Sequence, residues 1–323
     1  FDLADDCEIG VEVDPRECTP EQLDALAASG FNRISMGVQD LSAQVQAAVN
    51  RIQPPSETLA VLEGARERGM ESANVDLIYG LPFQTAESFA ATLEQVIDWR
   101  PDRLAVFNFA YLPEAIPHQR TIDPKAIPDG ETKLRILEET IETLTKAGYI
   151  FIGMDHFALP EDPLSQALRD RSLTRNFQGY STRGEADLLA FGVSAISQVG
   201  GGYAQNTKAI PAYEMALGQG GLPTVRGLEL TPDDELRREV IMRLMCHFLL
   251  PKSDVEKAYG IEFDAYFADE LEALAPFVAD DLITVGAKAL EITPRGRLLV
   301  RNIAMVFDAY LKADVVERYS RTV

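Results

Sequence analysis

The carboxylate of Asp76 is the first side chain in this sequence that could do chemistry. It lies inside an apolar stretch, residues 73–82 (Ala-Asn-Val-Asp-Leu-Ile-Tyr-Gly-Leu-Pro), which predicts a buried strand that ends in a tight turn. Removing an unpaired carboxylate from water costs several kcal/mol, so a strand that contains one provides a partner, a ligand or a cavity. Asp76 is therefore a candidate binding residue, and the alternative is a structural aspartate held by backbone N–H groups.

Polar side chains recur where successive predicted strands end. The residues at four strand ends are, in chain order, Glu12 and Asp14, then Gln39, then Asp76, then Asn108 with Ala110. In parallel α/β folds, ligands bind where the carboxyl ends of the strands enter loops. The recurrence therefore predicts a binding site at this end of the sheet.

The elements that position these residues alternate between strand and helix. Strands are predicted over residues 8–14, 32–38, 73–82, 103–110 and 149–157, and helices over 19–30, 41–50, 56–68, 85–99 and 131–147. This alternation indicates parallel βαβ units, so the fold class is α/β, either as a doubly wound sheet or as a (β/α) barrel.

The last third of the chain has a different pattern. Helices are predicted over residues 231–250, 253–259, 265–277 and 293–311, with a two-strand pattern at 282–292. This order is typical of a small winged-helix-like unit, and its many acidic residues favour a packing or lid role over DNA binding. We therefore predict two domains, residues 1–225 and a mainly helical C-terminal domain of residues 226–323.

The composition argues against some partners. Lys and Arg number 30 against 51 Asp and Glu, and the net charge of −21 opposes the attraction to a polyanion that nucleic-acid binding needs. No apolar run reaches the roughly eighteen residues of a membrane span. The first residues also lack the basic and apolar regions of a signal peptide. We therefore predict a cytoplasmic protein with neither nucleic acid nor a membrane as partner.

Cysteine and histidine are scarce. They are Cys7, Cys18, Cys246, His118, His156 and His247. An odd number of widely spaced cysteines suits reduced thiols, and three histidines argue against a histidine-built metal site, so no metal ligand is predicted in this chain. Asp155 and His156 could form a catalytic or ligand pair, or the histidine could satisfy a nearby backbone group.

Seven segments together resemble one family, the oxygen-independent coproporphyrinogen III oxidases, which are radical S-adenosylmethionine enzymes of haem synthesis. The segments are residues 12–16, 30–40, 49–51, 74–82, 153–157, 175–180 and 192–197. The resemblance implies a partial radical-SAM (β/α) barrel, the C-terminal part of a (β/α)₆ barrel, followed by the mainly helical, winged-helix-like domain.

The resemblance also implies a reaction. A [4Fe-4S] cluster cleaves S-adenosylmethionine, and the resulting radical takes hydrogen from a propionate that then loses carbon dioxide and becomes a vinyl group. Two propionates of coproporphyrinogen III react in this way, which gives protoporphyrinogen IX. The implied partners are this substrate and an electron donor such as a flavodoxin-type protein, and the implied state is a monomer.

Motif matching implies roles for individual residues. Glu12 is expected to contact the cluster-bound S-adenosylmethionine and to be catalytic. A second S-adenosylmethionine is expected to be surrounded by Gln39, Arg51, Asp76, Ala110 and Ile196. Phe177 and Gln178 match catalytic positions near the active centre, and the candidate partners of the substrate carboxylates are Arg33, Arg175 and Arg183. Carboxylates and amides suit hydroxyl and ammonium groups, and an arginine suits a carboxylate.

The sequence departs from the family in one respect. The CxxxCxxC motif that binds the cluster is absent, and the three cysteines cannot replace it. We therefore expect the cluster ligands upstream of Phe1 and expect the chain to be inactive by itself. Two alternatives stay open: a haem chaperone-like relative that binds and delivers haem, and a metabolic (β/α) enzyme without radical chemistry.

Overall fold

The computed structural model describes residues 2–184 and 186–311. The chain divides into two compact units, with the boundary between Gln166 and Ala167. The predicted domain boundary between residues 225 and 226 stays a prediction, and the last twelve residues of the predicted second domain lie outside the described residues.

One six-stranded sheet forms the centre of the first unit. Its strands are β1 Gly10–Val13, β2 Arg33–Gln39, β3 Ser72–Tyr79, β4 Arg103–Asn108, β5 Ile150–Gly153 and β6 His156–Ala158. Its helices are α1 Pro20–Ala28, α2 Ala43–Ala48, α3 Pro55–Glu67, α4 Ala86–Trp99 and α5 Gly130–Lys146, and α6 Pro163–Asp170 spans the unit boundary. The strands lie in the order β1-β2-β3-β4-β6-β5, and β1 to β4 are parallel. The predicted α/β class is confirmed.

Local sequence explains where these helices begin. Thr19 and Thr85 form capping boxes at α1 and α4, with the side chains of Gln22 and Ser88 as their partners, and Pro20 occupies the first turn of α1. Each capping box satisfies backbone N–H groups that a helix leaves unpaired at its start. The predicted start of α4 after Thr85 is confirmed.

The two faces of the sheet differ in composition. One face packs under helices and is fully buried by apolar side chains: Ile34, Met36, Val38, Ala73, Val75, Leu77, Leu104 and Val106. We call the opposite face, which carries the alternate residues, the polar face. Its members at the centre of the sheet are Ser35, Gly37, Asn74, Asp76, Arg103 and Ala105.

The prediction of a single strand over residues 149–157 is wrong. β5 and β6 form an antiparallel hairpin, and β6 pairs with β4 in the antiparallel direction. Gly153 and Met154 have φ angles of 144° and 50°, so the backbone turns between two short apolar strands. The hairpin places His156 opposite Ala105.

The second unit contains three small sheets. Its strands are β7 Thr174–Asn176, β8 Gly179–Ser181, β9 Ile196–Val199, β10 Gly202–Asn206, β11 Thr224–Glu229, β12 Leu249–Pro251, β13 Ile283–Val285 and β14 Ala289–Ile292. Its helices are α7 Ile210–Gly218, α8 Pro232–His247, α9 Lys252–Tyr259, α10 Phe263–Tyr266, α11 Ala268–Ala273, α12 Ala275–Ala279 and α13 Val300–Ala304. The sheets are β7-β8, β11-β10-β9 and β12-β14-β13.

The predicted helices at 265–277 and 293–311 are wrong as continuous helices. The first is divided among α10, α11 and α12, and Pro276 lies in the first turn of α12, where its missing N–H costs nothing. The second consists of α13 with 3₁₀ turns at Gly296–Leu299 and Met305–Phe307. None of the described helices is both long and apolar enough to cross a membrane.

Candidate active site

Gln39 ends β2 in an unusual conformation. Its φ is 66°, in the left-handed region that non-glycine residues seldom adopt, and the pairing with β3 is irregular between Gly37 and Gln39. The side chain turns back over Gly37, where a Cβ atom would lie 2.6 Å from Gln39 Nε2. A side chain at position 37 would therefore displace the Gln39 amide from the position that it occupies on the polar face.

Arg51 reaches the same place from the loop that follows α2. Its Nη2 donates a hydrogen bond to the carbonyl oxygen of Gly37 at 2.9 Å, and its Nη1 lies 3.4 Å from Asp14 Oδ2. A hydrogen bond from Arg16, together with the charge of Arg51, holds the pKa of Asp14 at about 2. Asp14 therefore stays ionised and anchors one side of the Arg51 guanidinium.

Asp76 lies opposite Gly37 on the neighbouring strand. Its Oδ1 accepts a hydrogen bond of 2.7 Å from Asn74 Nδ2, which also donates to Ser35 Oγ at 3.0 Å. Burial raises the pKa of Asp76 to about 6; the Asn74 bond opposes this rise and the nearby charge of Glu12 adds to it. Asp76 is thus held by a side-chain amide, and not by backbone N–H groups as the structural alternative required.

Three predicted residues therefore converge. Gln39 and Arg51 meet over Gly37, and Asp76 rises from the next strand, about 4.8 Å away at ordinary strand spacing. Within residues 2–184 and 186–311, Gln39 Oε1 and Arg51 Nε are buried without a hydrogen-bond partner. Buried polar atoms are normally paired, so this acceptor and this donor suit a bound ligand.

The charges at this place match an amino acid. Arg51 can hold a carboxylate, and Asp76 with the amide oxygen of Gln39 can hold an ammonium group. Glu12 lies on β1, is exposed, and pairs with Ser35 of β2. Ser35 in turn pairs with Asn74, two residues before Asp76 on β3. The Glu12 carboxylate adds negative charge that favours a cationic ligand.

The other predicted residues are located separately. Ala110 follows the end of β4, and its carbonyl oxygen accepts a hydrogen bond from Gln119 Nε2 at 2.9 Å. In the second unit, Ile196 begins β9 and pairs with Gln205. Phe177 and Gln178 form the exposed turn between β7 and β8. The Phe177 ring packs edge-to-face on Tyr203 with centroids 5.5 Å apart.

The arginines expected to bind substrate have different environments. Arg33 lies at the amino end of β2, opposite to the convergence of Gln39 and Arg51, and its Nε is 3.0 Å from Glu8 Oε2. The guanidinium of Arg175 lies 5.0 Å from the centre of the Tyr180 ring. Arg33 therefore has a local partner away from the carboxyl ends of the strands.

Sequence reasoning missed Gly37, Asn74 and Ser35 as parts of the site. Asn74 precedes Asp76 by two residues, and strand alternation puts such residues on one face, so that signal was present. The need for Gly37 depends on the backward turn of Gln39, which no local pattern predicts.

The cysteines do not fit an iron–sulfur cluster. In the part of the chain that the structure describes, no three His, Cys, Asp or Glu side chains are grouped so that they could hold a metal ion. Burial raises the pKa of Cys18 and raises that of Cys246 to about 12, which disfavours the thiolates that ligate iron.

Comparison with known families defines the class. A model of the radical SAM superfamily matches residues 3–96, and a model described as the HemN C-terminal domain matches residues 230–299. The chain is therefore a radical SAM protein of α/β fold with a HemN C-terminal domain.

Individual relatives define the family. The oxygen-independent coproporphyrinogen III oxidase of Salmonella typhimurium is 50% identical over 324 residues, which are 100% of this chain and 71% of that protein. The protein of the same name from Thermostichus vulcanus is 49% identical over 325 residues, all of both chains. The structure of coproporphyrinogen III oxidase (HemN) from Escherichia coli matches with a TM-score of 0.92 and 52% identity, covering 95% of this chain and 70% of that one. The chain belongs to the oxygen-independent coproporphyrinogen III oxidases.

Proposed function

We propose that the protein oxidatively decarboxylates two propionates of coproporphyrinogen III to vinyl groups, giving protoporphyrinogen IX in haem biosynthesis without oxygen. Relatives at about half identity along the whole chain, all named for this activity, support the proposal. When bound, S-adenosylmethionine supplies the 5′-deoxyadenosyl group that such radical chemistry uses.

The observation that carries the proposal is the convergence of Gln39, Arg51 and Asp76. Their unpaired donor and acceptor and their carboxylate match the carboxylate and ammonium of the methionine part of S-adenosylmethionine. Asp14 and the Gly37 carbonyl already hold the Arg51 guanidinium in place before a ligand binds, so Arg51 loses little side-chain entropy on binding.

Two molecules of S-adenosylmethionine are part of the proposal. Glu12 would contact the first. The second would be held by Gln39, Arg51, Asp76, Ala110 and Ile196. Phe177 and Gln178 would act close to the active centre, where the exposed Phe177 ring can pack against a pyrrole ring of the substrate.

The finer architecture and the remaining partners are proposals too. We infer that the six-stranded sheet is the C-terminal part of a (β/α)₆ barrel and that residues 226–323 form a winged-helix-like domain. The small antiparallel sheet β12-β14-β13 next to α8 and α9 supports the second inference. A flavodoxin-type electron donor, a monomeric state and a cytoplasmic location belong to the same proposal.

Incubation with coproporphyrinogen III tests the function. A form of the protein that carries the cluster-binding CxxxCxxC segment together with this chain is reconstituted anaerobically with iron and sulfide and supplied with S-adenosylmethionine and a reductant, and products are followed by mass spectrometry. We expect two successive losses of carbon dioxide and two hydrogens, with 5′-deoxyadenosine formed. Tight haem binding with no decarboxylation would instead support the haem chaperone alternative.

The expected inactivity of the chain by itself stays a prediction. Iron and sulfide analysis of the reconstituted 323-residue chain tests it, because the cysteines present do not form a ligand set. Stoichiometric iron and sulfide, with iron–sulfur absorbance, would contradict it.

A further inference from the structure

Asn74 makes two hydrogen bonds on the polar face through one amide nitrogen. Nδ2 donates to Asp76 Oδ1 at 2.7 Å and to Ser35 Oγ at 3.0 Å. Asn74 lies between Ser35 and Arg103 in the register of β2, β3 and β4. Because Ser35 is on the neighbouring strand, the amide cannot rotate without losing one of the two bonds.

This arrangement fixes the orientation of the Asp76 carboxylate. The amide engages Oδ1 and leaves Oδ2 to other partners, and Asp76 lies opposite Gly37 in the register. A donor in contact with a carboxylate also favours its ionised form. The Asn74 bond accordingly lowers the pKa of Asp76, against the larger rise that burial causes.

The charged groups near Asp76 do not replace Asn74 as the donor that favours the ionised carboxylate. Glu12 on β1 is negative and acts in the opposite direction. Arg103 on β4 lies 2.8 Å from Asp162, and Arg51 is anchored on Asp14. His156 on β6 is two strands away, beyond Ala105.

We propose that Asn74 is a positioning residue, which orients Asp76 and favours its ionised form, so that Asn74 sets the pH range in which a cationic ligand binds. The inference rests on the proposed function, since it takes Asp76 as a carboxylate that contacts S-adenosylmethionine. It goes beyond that function because Asn74 itself touches no ligand.

The test measures binding of isotopically labelled S-adenosylmethionine by equilibrium dialysis from pH 5 to pH 8. The reconstituted enzyme, in the form that carries the CxxxCxxC segment, is compared with its Asn74→Ala and Asp76→Asn variants, and the binding that Asp76→Asn weakens defines the relevant site. The matched control is Asn32→Ala, since Asn32 is also a half-buried asparagine but bonds Cys7 and Ile9 at the amino end of the sheet. It should not move the pH midpoint.

In Asn74→Ala we expect the midpoint of binding to move up by about one pH unit, the size expected for one hydrogen bond to a charged group. Affinity should then fall about fivefold near pH 6, about twofold near pH 7, and recover at pH 8. An unchanged profile, or a loss that no pH restores, would overturn the inference.

Two further outcomes distinguish a failure of the role of Asn74 from a failure of the proposed function. If Asp76→Asn binds like the wild type, the proposed function of Asp76 fails. If Asp76→Asn loses binding but Asn74→Ala keeps the wild-type midpoint, only the role of Asn74 fails. Should Asn74→Ala not fold, Asn74→Ser takes its place in the same titration, and an unchanged midpoint overturns the inference.

Discussion

Two buried aspartates of the first unit, Asp40 and Asp76, have opposite relations to their surroundings. Asp40 is 1% exposed, and both of its oxygens accept hydrogen bonds of 2.6 Å, from the Ser42 backbone and from the Gln84 side chain. Asp76 is half-buried, receives one amide bond from Asn74, and lies opposite Gly37, over which Gln39 and Arg51 meet.

Burial raises the pKa of both carboxyls, so the pKa alone does not separate them. What separates them is whether the protein satisfies its own polar groups. Both carboxylate oxygens of Asp40 have donors within the protein, which indicates a structural residue. Around Asp76 a buried acceptor of Gln39 and a buried donor of Arg51 lack partners among residues 2–184 and 186–311, which indicates a ligand site.

The largest expected effect is on ligand affinity. Asp76→Asn should weaken S-adenosylmethionine binding about 100-fold, or about 2.7 kcal/mol, because a charged contact to the ligand is lost. The unfolding free energy should stay level or rise. Isothermal titration and urea unfolding measure the two quantities.

The control is Asp102→Asn, the same change at the amino end of the sheet, where Asp102 accepts a hydrogen bond from the backbone N–H of Ala73. Equal loss of affinity in both variants would show that the loss in Asp76→Asn does not come from a contact to the ligand.

The second effect is on stability, and it is expected at Asp40. Asp40→Ala should lower the unfolding free energy by about 2 kcal/mol, because the half-buried Ser42 N–H loses its acceptor and the buried Gln84 amide nitrogen keeps only the Ile78 carbonyl. Asp24→Ala serves as control, since Asp24 pairs with Arg68 at an exposed position and should cost less than about 0.5 kcal/mol. A stability equal to wild type in Asp40→Ala would show that Asp40 is not structural.

A smaller effect is expected from Gly37→Ala. The added methyl would meet Gln39 Nε2 at 2.6 Å and displace the side chains over the site, so affinity should fall about tenfold, or about 1.4 kcal/mol. Gly130→Ala is the matched control, because an added Cβ there meets nothing within 4 Å. Wild-type affinity in Gly37→Ala would mean that Gln39 does not lie over Gly37 in solution.

The smallest effect is a pH dependence of stability. The pKa of Asp76 is raised from 3.8 to about 6, so the folded protein holds this proton more tightly than the unfolded chain does. Its stabilising contribution is full below about pH 4 and is lost as pH rises through about 6, by about 1 kcal/mol between pH 5 and 7. Urea unfolding of wild type minus Asp76→Asn isolates this term. A difference that does not fall from pH 5 to pH 7 would contradict the raised pKa.

Much of the first unit could be predicted from local patterns. The capping box at Thr85, the alternation in β3 and the helix–strand order are properties of neighbouring residues, and they are where the sequence predicted them. The hairpin at Gly153 and Met154 was missed because the apolar residues around it have the pattern of one continuous strand. The turn depends on a methionine in the left-handed backbone conformation, which its residue type does not indicate.

The sequence by itself determined the α/β class, the strand that carries Asp76 and the candidacy of Gln39, because strand periodicity and the parallel arrangement constrain which ends meet. Arg51 became a candidate only through the resemblance to the family. Only the tertiary structure decided how these residues are used. The bond from Arg51 to Gly37, the anchor on Asp14 and the bond between Asn74 and Ser35 join residues 14, 37 and 39 positions apart. Such contacts depend on strand register and on the left-handed turn at Gln39, and neither is encoded in any local run of residues.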